Sequence, residues 1–214
     1  MQKIIIDNLL PVVFSDKQEI KSELWRQNIV FEKGKNYLVS AESGAGKSSL
    51  CSYVYGFRTD YEGTITFDDR NVSALNVRDW CQVRTHQLAY LPQELRLFYE
   101  LTAFENIALK NNLTKFKTNE EIEHLFDVLG IADKMKSVVG RLSIGQQQRV
   151  AFIRTLCQPC DFFLLDEPVS HLDEKNNRII GSLVEEEASR QGAGIISTSV
   201  GNKLILNVDK ELKL

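Results

Sequence analysis

Residues 43–49, Ser-Gly-Ala-Gly-Lys-Ser-Ser, have the types and spacing needed to hold a chain of phosphates. Glycines let the backbone approach a ligand closely, and free N–H groups at the start of a helix attract anions. A lysine suits the oxygens of β- and γ-phosphates, and a hydroxyl suits Mg²⁺. The apolar residues before this segment and the helix-forming residues after it predict a strand, a phosphate-binding turn and a helix. Gly44, Gly46, Lys47 and Ser48 supply the required groups, while Ala41 stands where a further glycine is expected.

Two further apolar runs end in polar side chains. Residues 162–165 are entirely apolar and lead directly into Asp166 and Glu167. Such a run predicts a fully buried parallel strand whose carboxyl end faces a ligand. Residues 89–91 form a similar short strand pattern, and Gln93 follows it two residues later. The sequence therefore predicts two acids and an amide at the ends of two strands.

The surrounding sequence predicts an α/β protein. Strands are expected within residues 2–14, 28–31 and 63–67, which together indicate a small antiparallel layer beside the strand that enters the phosphate-binding turn. Helix starts are indicated where Thr102 and Thr118 each precede a glutamate by three residues. A helical subdomain is predicted over about residues 95–155, inserted in the core. A helix over residues 173–190, a buried strand over 193–198 and a terminal hairpin over 203–214 complete the prediction.

Composition and charge limit the classes of function. The chain has 214 residues, 43% of them hydrophobic, with 26 basic and 29 acidic side chains and a formal net charge of −3. This balance provides no electrostatic footprint for nucleic acid. No apolar run reaches the roughly 20 residues that span a bilayer, and the first residues do not form the apolar core of a signal peptide. We therefore expect a cytosolic protein.

Two more segments resemble one family closely, the ATP-binding cassette (ABC) ATPases that drive ABC transporters. Residues 142–149, Leu-Ser-Ile-Gly-Gln-Gln-Gln-Arg, are similar to the family signature Leu-Ser-Gly-Gly-Gln and stand at the usual distance from the acid pair. Residues 170–173, Ser-His-Leu-Asp, follow in the family's order. The resemblance covers essentially the whole chain, residues 1–214, as a single domain. It implies a P-loop NTPase (RecA-like) α/β core with an antiparallel β subdomain and a helical subdomain.

The resemblance also implies a site that binds ATP and Mg²⁺ and hydrolyses the ATP. Lys47 would hold the β- and γ-phosphates, and Ser48 would bind the Mg²⁺. Gln93 would reach the metal and the attacking water and would sense a membrane partner. Asp166 would support the metal through water, and Glu167 would polarise the attacking water as general base. The remaining nucleotide-binding residues of the turn would be Ser43, Gly44, Ala45, Gly46 and Ser49.

The signature segment implies a second cassette. Ser143 and Gly145 open a helix, and Gln146 belongs to the same nucleotide-binding set. The positive N-terminal end of that helix suits a γ-phosphate. In the family this phosphate belongs to the opposite subunit, so two cassettes would close head to tail around two ATP molecules. Ile144 replaces the first signature glycine, and its β-branched side chain resists a positive φ and adds bulk, which is expected to weaken the contact.

The family resemblance also bears on Phe14 and Ser199. Phe14 stands 33 residues before Lys47, where the family places an aromatic ring on adenine; a core phenylalanine at a strand end is an equal alternative. Ser199 stands where the family has a histidine that contacts the γ-phosphate and orients the glutamate and its water. A serine cannot supply the reach or the charge of an imidazole. The histidines of this chain are His86, His124 and His171.

The leading hypothesis is an ATPase subunit that pairs with a second cassette, as a homodimer or a heterodimer. It would dock on separate transmembrane permease subunits, on the cytoplasmic face of the cell membrane. Residues 84–93, 97–98 and 101–106 resemble most the lipoprotein-release and macrolide-export group. The alternative is a nucleotide-sensing cassette with weak or no hydrolysis, because Ser199 replaces the histidine. A soluble cassette acting on DNA or ribosomes is disfavoured, since coiled coils, a paired cassette and a basic surface are all missing.

We predict slow ATP hydrolysis by the isolated chain, because Ser199 cannot replace the imidazole. Loss of one preorganised transition-state contact costs on the order of 10² or more in rate. The measurement is the steady-state ATPase activity of purified protein with Mg²⁺, and Glu167→Gln is the control that removes the predicted base. Turnover typical of the family, abolished by Glu167→Gln, would refute the prediction.

Overall fold

The computed structural model describes residues 1–16 and 20–214, which contain two β-sheets and six α-helices. The strands in chain order are β1 (Lys3–Pro11), β2 (Asn28–Glu32), β3 (Asn36–Ser40), β4 (Tyr61–Phe67), β5 (Arg70–Asn71), β6 (Leu88–Leu91), β7 (Phe162–Asp166), β8 (Gly194–Ser199) and β9 (Lys210–Lys213). The α-helices are α1 (Lys47–Val54), α2 (Val77–His86), α3 (Ala103–Asn111), α4 (Asn119–Val128), α5 (Ile144–Leu156) and α6 (Glu174–Gln191).

The larger sheet positions the predicted site residues. Its strand order is β6-β7-β8-β3-β9, and all neighbouring strands run parallel. Parallel strands end at the same edge of a sheet, and ligands of open α/β sheets bind beyond that edge. The phosphate-binding turn follows β3, the segment with Gln93 follows β6, and the acid pair consists of the last residue of β7 and the residue after it. The topology therefore gathers three segments that are far apart in the sequence.

The smaller sheet is antiparallel, with the strand order β2-β1-β4-β5. Ile4 and Ile6 of β1 are fully buried, whereas the residues beside them are partly exposed. Such alternation is typical of a sheet with one face on a core. The predicted antiparallel layer is confirmed, although β1 ends at Pro11 and residues 12–14 form a 3₁₀ turn.

Capping explains where the helices begin. Thr102 and Thr118 form capping boxes with Glu105 and Glu121, as the sequence spacing predicts. Helices α3, α4 and α5 all lie between β6 and β7, and the bounds of a helical subdomain over residues 95–155 stay a prediction. Within residues 1–16 and 20–214, no helix is long and apolar enough to cross a membrane.

Two hydrophobic clusters cover the two faces of the parallel sheet. Phe163 and Leu165 of β7 pack in the cluster that includes residues of α3, α4, α5 and α6. Phe162 and Leu164 pack in the cluster that includes residues of α1 and the antiparallel sheet. Successive side chains of a strand point to opposite faces, so one apolar run supplies both cores. This double burial is the reason that β7 has no polar residue before Asp166.

The predicted terminal hairpin over residues 203–214 is wrong. The structure instead has one strand, β9, which pairs in parallel with β3 at the edge of the larger sheet. Leu204 packs in the cluster on the side of α6, whereas Leu212 packs in the cluster on the side of α1. The two ends of this segment are therefore buried against different faces, which prevents them from pairing with each other.

Candidate functional site

The turn between β3 and α1 is shaped to receive an anion. Gly46 is the N-cap of α1 and has a φ of 98°, a left-handed conformation that favours glycine. No side chain caps this helix, and its first turn contains no acidic residue. The first N–H groups of α1 and the positive end of its dipole are therefore available to a ligand. Ser43, Gly44 and Ala45 precede Gly46 in the turn, and Lys47, Ser48 and Ser49 begin the helix.

Lys47 lies inside the turn rather than in solvent. Its side chain is 4% exposed, and its Nζ donates to the carbonyl oxygens of Glu42 at 2.8 Å and Ala41 at 3.3 Å. Nζ also lies 3.9 Å from Oε1 of Glu167. Burial lowers the pKa of Lys47, and the negative charges of Glu167 and Asp166 oppose this shift. The ammonium is thus held between the turn and the end of β7.

One hydroxyl of β8 holds both acids of the site. Oγ1 of Thr198 donates to Oδ1 of Asp166 at 2.7 Å and accepts from the backbone N–H of Glu167 at 3.1 Å. Burial raises the pKa of the Asp166 carboxyl, and hydrogen bonds from Thr198 and Ser48 oppose this shift. Glu167 has a φ of 50°, which is uncommon for a residue with a side chain. Thr198 therefore fixes the carboxylate of one acid and the backbone of the next.

Gln93 connects the turn to the acids. Its Nε2 donates to Oε2 of Glu167 at 3.3 Å, and its Oε1 accepts from Oγ of Ser48 at 3.3 Å. This bridge is possible because β6 and β7 are neighbours in the parallel sheet. The structure thus brings together the predicted residues Lys47, Ser48, Gln93, Asp166 and Glu167 from three separate segments.

The donor set fits a nucleotide with Mg²⁺. Ser48, Gln93 and Asp166 offer a hydroxyl, an amide and a carboxylate oxygen, which are the hard donors that Mg²⁺ prefers. The described residues contain no group of three or more His, Cys, Asp or Glu that could hold a metal ion by themselves. Such a sparse set suits a metal whose other ligands are phosphate oxygens and water. The uncapped start of α1 suits the phosphates.

The predicted signature residues lie at another helix start. Ser143 caps α5: its Oγ accepts from the backbone N–H of Gln146 at 3.3 Å, and Oε1 of Gln146 accepts from the backbone N–H of Ser143 at 2.9 Å. Ser143 is exposed, and Ile144 is 51% exposed. Among the described residues, Ser143, Gly145 and Gln146 share no hydrogen bond with the turn at residues 43–49 or with Glu167. This second helix start is exposed and, unlike that of α1, it is closed by its own capping box.

Sequence reasoning missed two residues that organise these segments. Gln148 is buried; its Nε2 donates to the carbonyl oxygen of Glu167 and to Oγ of Ser170, both at 3.4 Å. Its Oε1 accepts from the backbone N–H of His171 at 3.3 Å. Gln148 thereby ties the signature helix to the residues after the acid pair. Thr198 was also missed, although a hydroxyl at the end of an apolar strand was an available signal.

Phe14 and Ser199 have contrasting positions. Phe14 lies beside the phosphate-binding turn, since a Cβ built on Gly46 would be 3.2 Å from Cε2 of Phe14. Ser199 is 1% exposed, and its Oγ has no hydrogen-bond partner among the described residues. The neighbouring Thr198, not Ser199, is the residue of β8 that reaches the acids. The site therefore has the ring of Phe14 next to the turn, and at the end of β8 it has the hydroxyl of Ser199, which makes no hydrogen bond to any described residue.

Comparisons with known proteins agree with this geometry. Residues 25–170 match the family model described as ABC transporter. The lipoprotein-releasing system ATP-binding protein LolD of Shewanella denitrificans is 25% identical, with 99% of this chain and 92% of that protein covered. LolD of Saccharophagus degradans is 31% identical over 80% of this chain and 77% of its own length. The glucose import ATP-binding protein GlcV of Saccharolobus solfataricus is 32% identical over 93% of this chain and 56% of its own length.

Solved structures share the fold. A dimeric bacterial ABC transporter cassette has a TM-score of 0.78 at 24% identity and covers 92% of this chain and 87% of its own. An ATP-bound bacterial Atm1-family ABC exporter has a TM-score of 0.73 at 24% identity and covers 92% of this chain and 34% of its own. The parallel sheet with its phosphate-binding turn defines a P-loop nucleotide-binding protein of the α/β class. The chain belongs to the ABC transporter family, as an ATP-binding cassette of the family's ATPase type.

Thr198→Val and Ser199→Ala form a matched pair. The first removes a hydroxyl with two hydrogen bonds, and the second removes a hydroxyl with no hydrogen-bond partner in the described part of the chain. Thr198→Val removes a donor to Asp166 and an acceptor for Glu167, so we expect the free energy of unfolding to fall by about 1 to 3 kcal/mol. Ser199→Ala removes a buried hydroxyl without a described partner, so we expect no loss in the free energy of unfolding. Urea unfolding measures both. Equal losses in the two variants would contradict this assignment.

Proposed function

We propose that the chain binds ATP with Mg²⁺ and hydrolyses it as a motor subunit, in a dimer that drives separate membrane subunits. The observation that carries this proposal is the position of Glu167, which lies 3.9 Å from the ammonium of Lys47 and 3.3 Å from the amide of Gln93. Phosphoryl transfer requires little more than positioning and charge stabilisation. The site supplies positioning and charge stabilisation through a cation for the phosphates, an amide for the attacking water and a carboxylate that accepts the proton of that water.

The site residues then divide the work between the phosphates, the metal and the attacking water. Lys47 and the start of α1 bind the β- and γ-phosphates, and Ser48, Gln93 and Asp166 would hold the Mg²⁺. A Mg²⁺ held by these residues would supply positive charge against the negative charge that develops on the phosphates. Gln93 orients the attacking water, and Glu167 takes its proton. The remaining proposed contacts are those of Phe14 with adenine and of Ser43, Gly44, Ala45, Gly46 and Ser49 with the nucleotide.

The second helix start is the proposed contact with another cassette. Ser143, Gly145 and Gln146 would bind the γ-phosphate held by the second subunit, which closes head to tail. The exposure of Ser143 and its separation from this chain's own acids support that role. Gln148 supports it further, because it joins the signature helix to the backbone of Glu167 at 3.4 Å. Binding of the second subunit's γ-phosphate at the signature helix would then affect the position of Glu167 through Gln148.

A groove beside Gln93 is the proposed docking site for a transmembrane permease subunit at the cytoplasmic face of the membrane. The cavity has a volume of about 240 Å³. Phe98, 55% exposed, supplies an apolar surface. Burial lowers the pKa of Lys110 to about 8 and that of Arg154 to about 10. Among the described residues neither cation pairs with a carboxylate; they donate to the carbonyl oxygens of Arg84 at 3.0 Å and Arg96 at 2.8 Å.

These features favour a helical partner segment with an apolar face and an acidic side chain. Pro92 lines the groove and directly precedes Gln93, so a docked segment would lie next to the residue that bridges Ser48 and Glu167. Relatives of this chain are named ATP-binding proteins of a lipoprotein-releasing system, and we propose that the docked segment belongs to the membrane subunit of such a system. Docking and hydrolysis would thereby be coupled through one short segment.

A nucleotide-sensing cassette with weak hydrolysis is the second candidate. Its support is Ser199, whose buried Oγ has no partner and cannot act as an imidazole. Both candidates share the binding residues and differ in turnover. A comparison of hydrolysis with ATP-driven dimerisation separates them, because a sensor would dimerise in ATP with little turnover.

Lys47→Ala tests the nucleotide site. Truncating one partner of a buried charge pair costs about 2 kcal/mol or more, so we expect binding of labelled Mg-ATP to weaken at least about 30-fold. Lys136→Ala, at an exposed lysine outside the site, is the control and should bind as the parent does. If folded Lys47→Ala protein takes up the nucleotide as well as the parent, the proposed function is wrong.

Phe98→Asp tests the docking groove. A carboxylate in place of an exposed ring removes apolar contact and repels an acidic partner, so membrane subunits should no longer co-purify from detergent-solubilised membranes. Val77→Asp is the matched control, because Val77 is 82% exposed on α2 and does not line the groove. ATP binding should be unchanged in both variants. Undiminished co-purification with Phe98→Asp would rule out this groove as the docking site.

A further inference from the structure

Trp25 contacts the phosphate-binding turn from the segment between β1 and β2. Its side chain is 2% exposed, and its indole Nε1 donates to the carbonyl oxygen of Ala45 at 3.0 Å. The backbone of Trp25 is itself anchored, because its N–H donates to Oγ of Ser22 at 2.8 Å. The indole is therefore a buried, oriented donor whose acceptor lies inside the turn.

The ring of Trp25 also limits the shape of the turn. A Cβ built on Gly46 would lie 2.9 Å from Cζ2 of Trp25 and 3.2 Å from Cε2 of Phe14. Distances this short leave no room for a side chain, and the φ of 98° at Gly46 independently favours glycine. The aromatic rings thus occupy one side of the Ala45–Gly46 peptide, and a ligand must approach from the other.

The hydrogen bond from Trp25 to the Ala45 carbonyl also fixes the direction of the next backbone N–H. In a planar trans peptide the carbonyl of one residue and the N–H of the next point in opposite directions. A hydrogen bond that holds the Ala45 carbonyl toward the indole therefore holds the Gly46 N–H away from it, toward the side open to a ligand. We infer that Trp25 is a positioning residue, which aims the Gly46 N–H at a bound phosphate. The inference rests on the proposed function of the turn.

A direct contact of Trp25 with the base is the competing assignment. A cavity of about 220 Å³ is lined by Trp25, Phe14, Gly44 and Ala45, among others. Stacking requires an accessible ring face, and Trp25 is almost fully buried whereas Phe14 is partly exposed. The indole N–H is already engaged by Ala45. Trp25 therefore acts on the phosphates through the turn, and its effect does not depend on the base.

The test removes the indole N–H and keeps the ring. The chain has two tryptophans, so Trp80→Phe leaves Trp25 as the single one. In that protein, biosynthetic replacement of tryptophan by benzothienylalanine substitutes sulfur for the N–H without changing the ring size. Trp80→Phe with ordinary tryptophan is the matched control. Trp25→Phe, which removes the N–H together with the indole ring, is the second variant and is compared with the parent. The probes are Mg-ATP and magnesium tripolyphosphate, with binding measured well below the unfolding temperature.

We expect the dissociation constant to rise about 3- to 10-fold in both Trp25 variants, by the same factor for both probes, which corresponds to one net hydrogen bond. A purely structural role would lower the unfolding temperature and leave the affinity of the folded protein unchanged, which overturns the inference. A loss seen with Mg-ATP but not with tripolyphosphate would also overturn it, in favour of a base contact. Absence of nucleotide binding in the parent would overturn the proposed function and this inference together.

Discussion

The structure depends on three largely buried charges at the carboxyl edge of the parallel sheet. Lys47 and Asp166 are nearly inaccessible, and the side chain of Glu167 is 14% exposed. Burying charges is costly unless they are paired, and here one ammonium attracts two carboxylates that repel each other. Burial still lowers the pKa of Lys47 and raises that of Asp166 against their mutual attraction. A magnesium nucleotide would bring what the edge lacks, an anion for the lysine and a cation for the acids.

The scaffold around this edge is built to keep those groups apart and oriented. Both faces of β7 are covered by hydrophobic clusters, so a one-residue slip of its register with β6 and β8 would move Asp161 or Asp166 into a position held by a buried apolar side chain. That register places Thr198 opposite Asp166, where one hydroxyl can serve the carboxylate and the next backbone N–H. Gln148 holds the same backbone from the helix side. The acids are thus positioned from two directions by uncharged groups.

Local motifs could be predicted from the sequence, whereas contacts made through the backbone could not. The turn at residues 43–49, the apolar run before Asp166 and the capping threonines act over a few residues, and the structure has each as predicted. Trp25 and Gln148 act on carbonyl oxygens of residues at least nineteen positions away. No spacing rule marks them. The terminal hairpin was wrong because residues 210–213 pair with β3 and become the edge strand β9, and this pairing competes with a local turn.

Two of the departures from the family pattern, Ser199 and Ile144, fall in different halves of the proposed composite site. Ser199 stands with the acids and the phosphate-binding turn of one subunit, whereas Ile144 stands on the helix start offered to the other. In a homodimer each nucleotide would therefore meet both departures. A heterodimer with an unaltered cassette would give each nucleotide one of them, so neither site would be restored in full. In the proposed function, binding depends on Lys47 and the start of α1, and neither Ser199 nor Ile144 belongs to these. The two departures would therefore act on the rate of hydrolysis and on closure of the dimer rather than on capture of ATP.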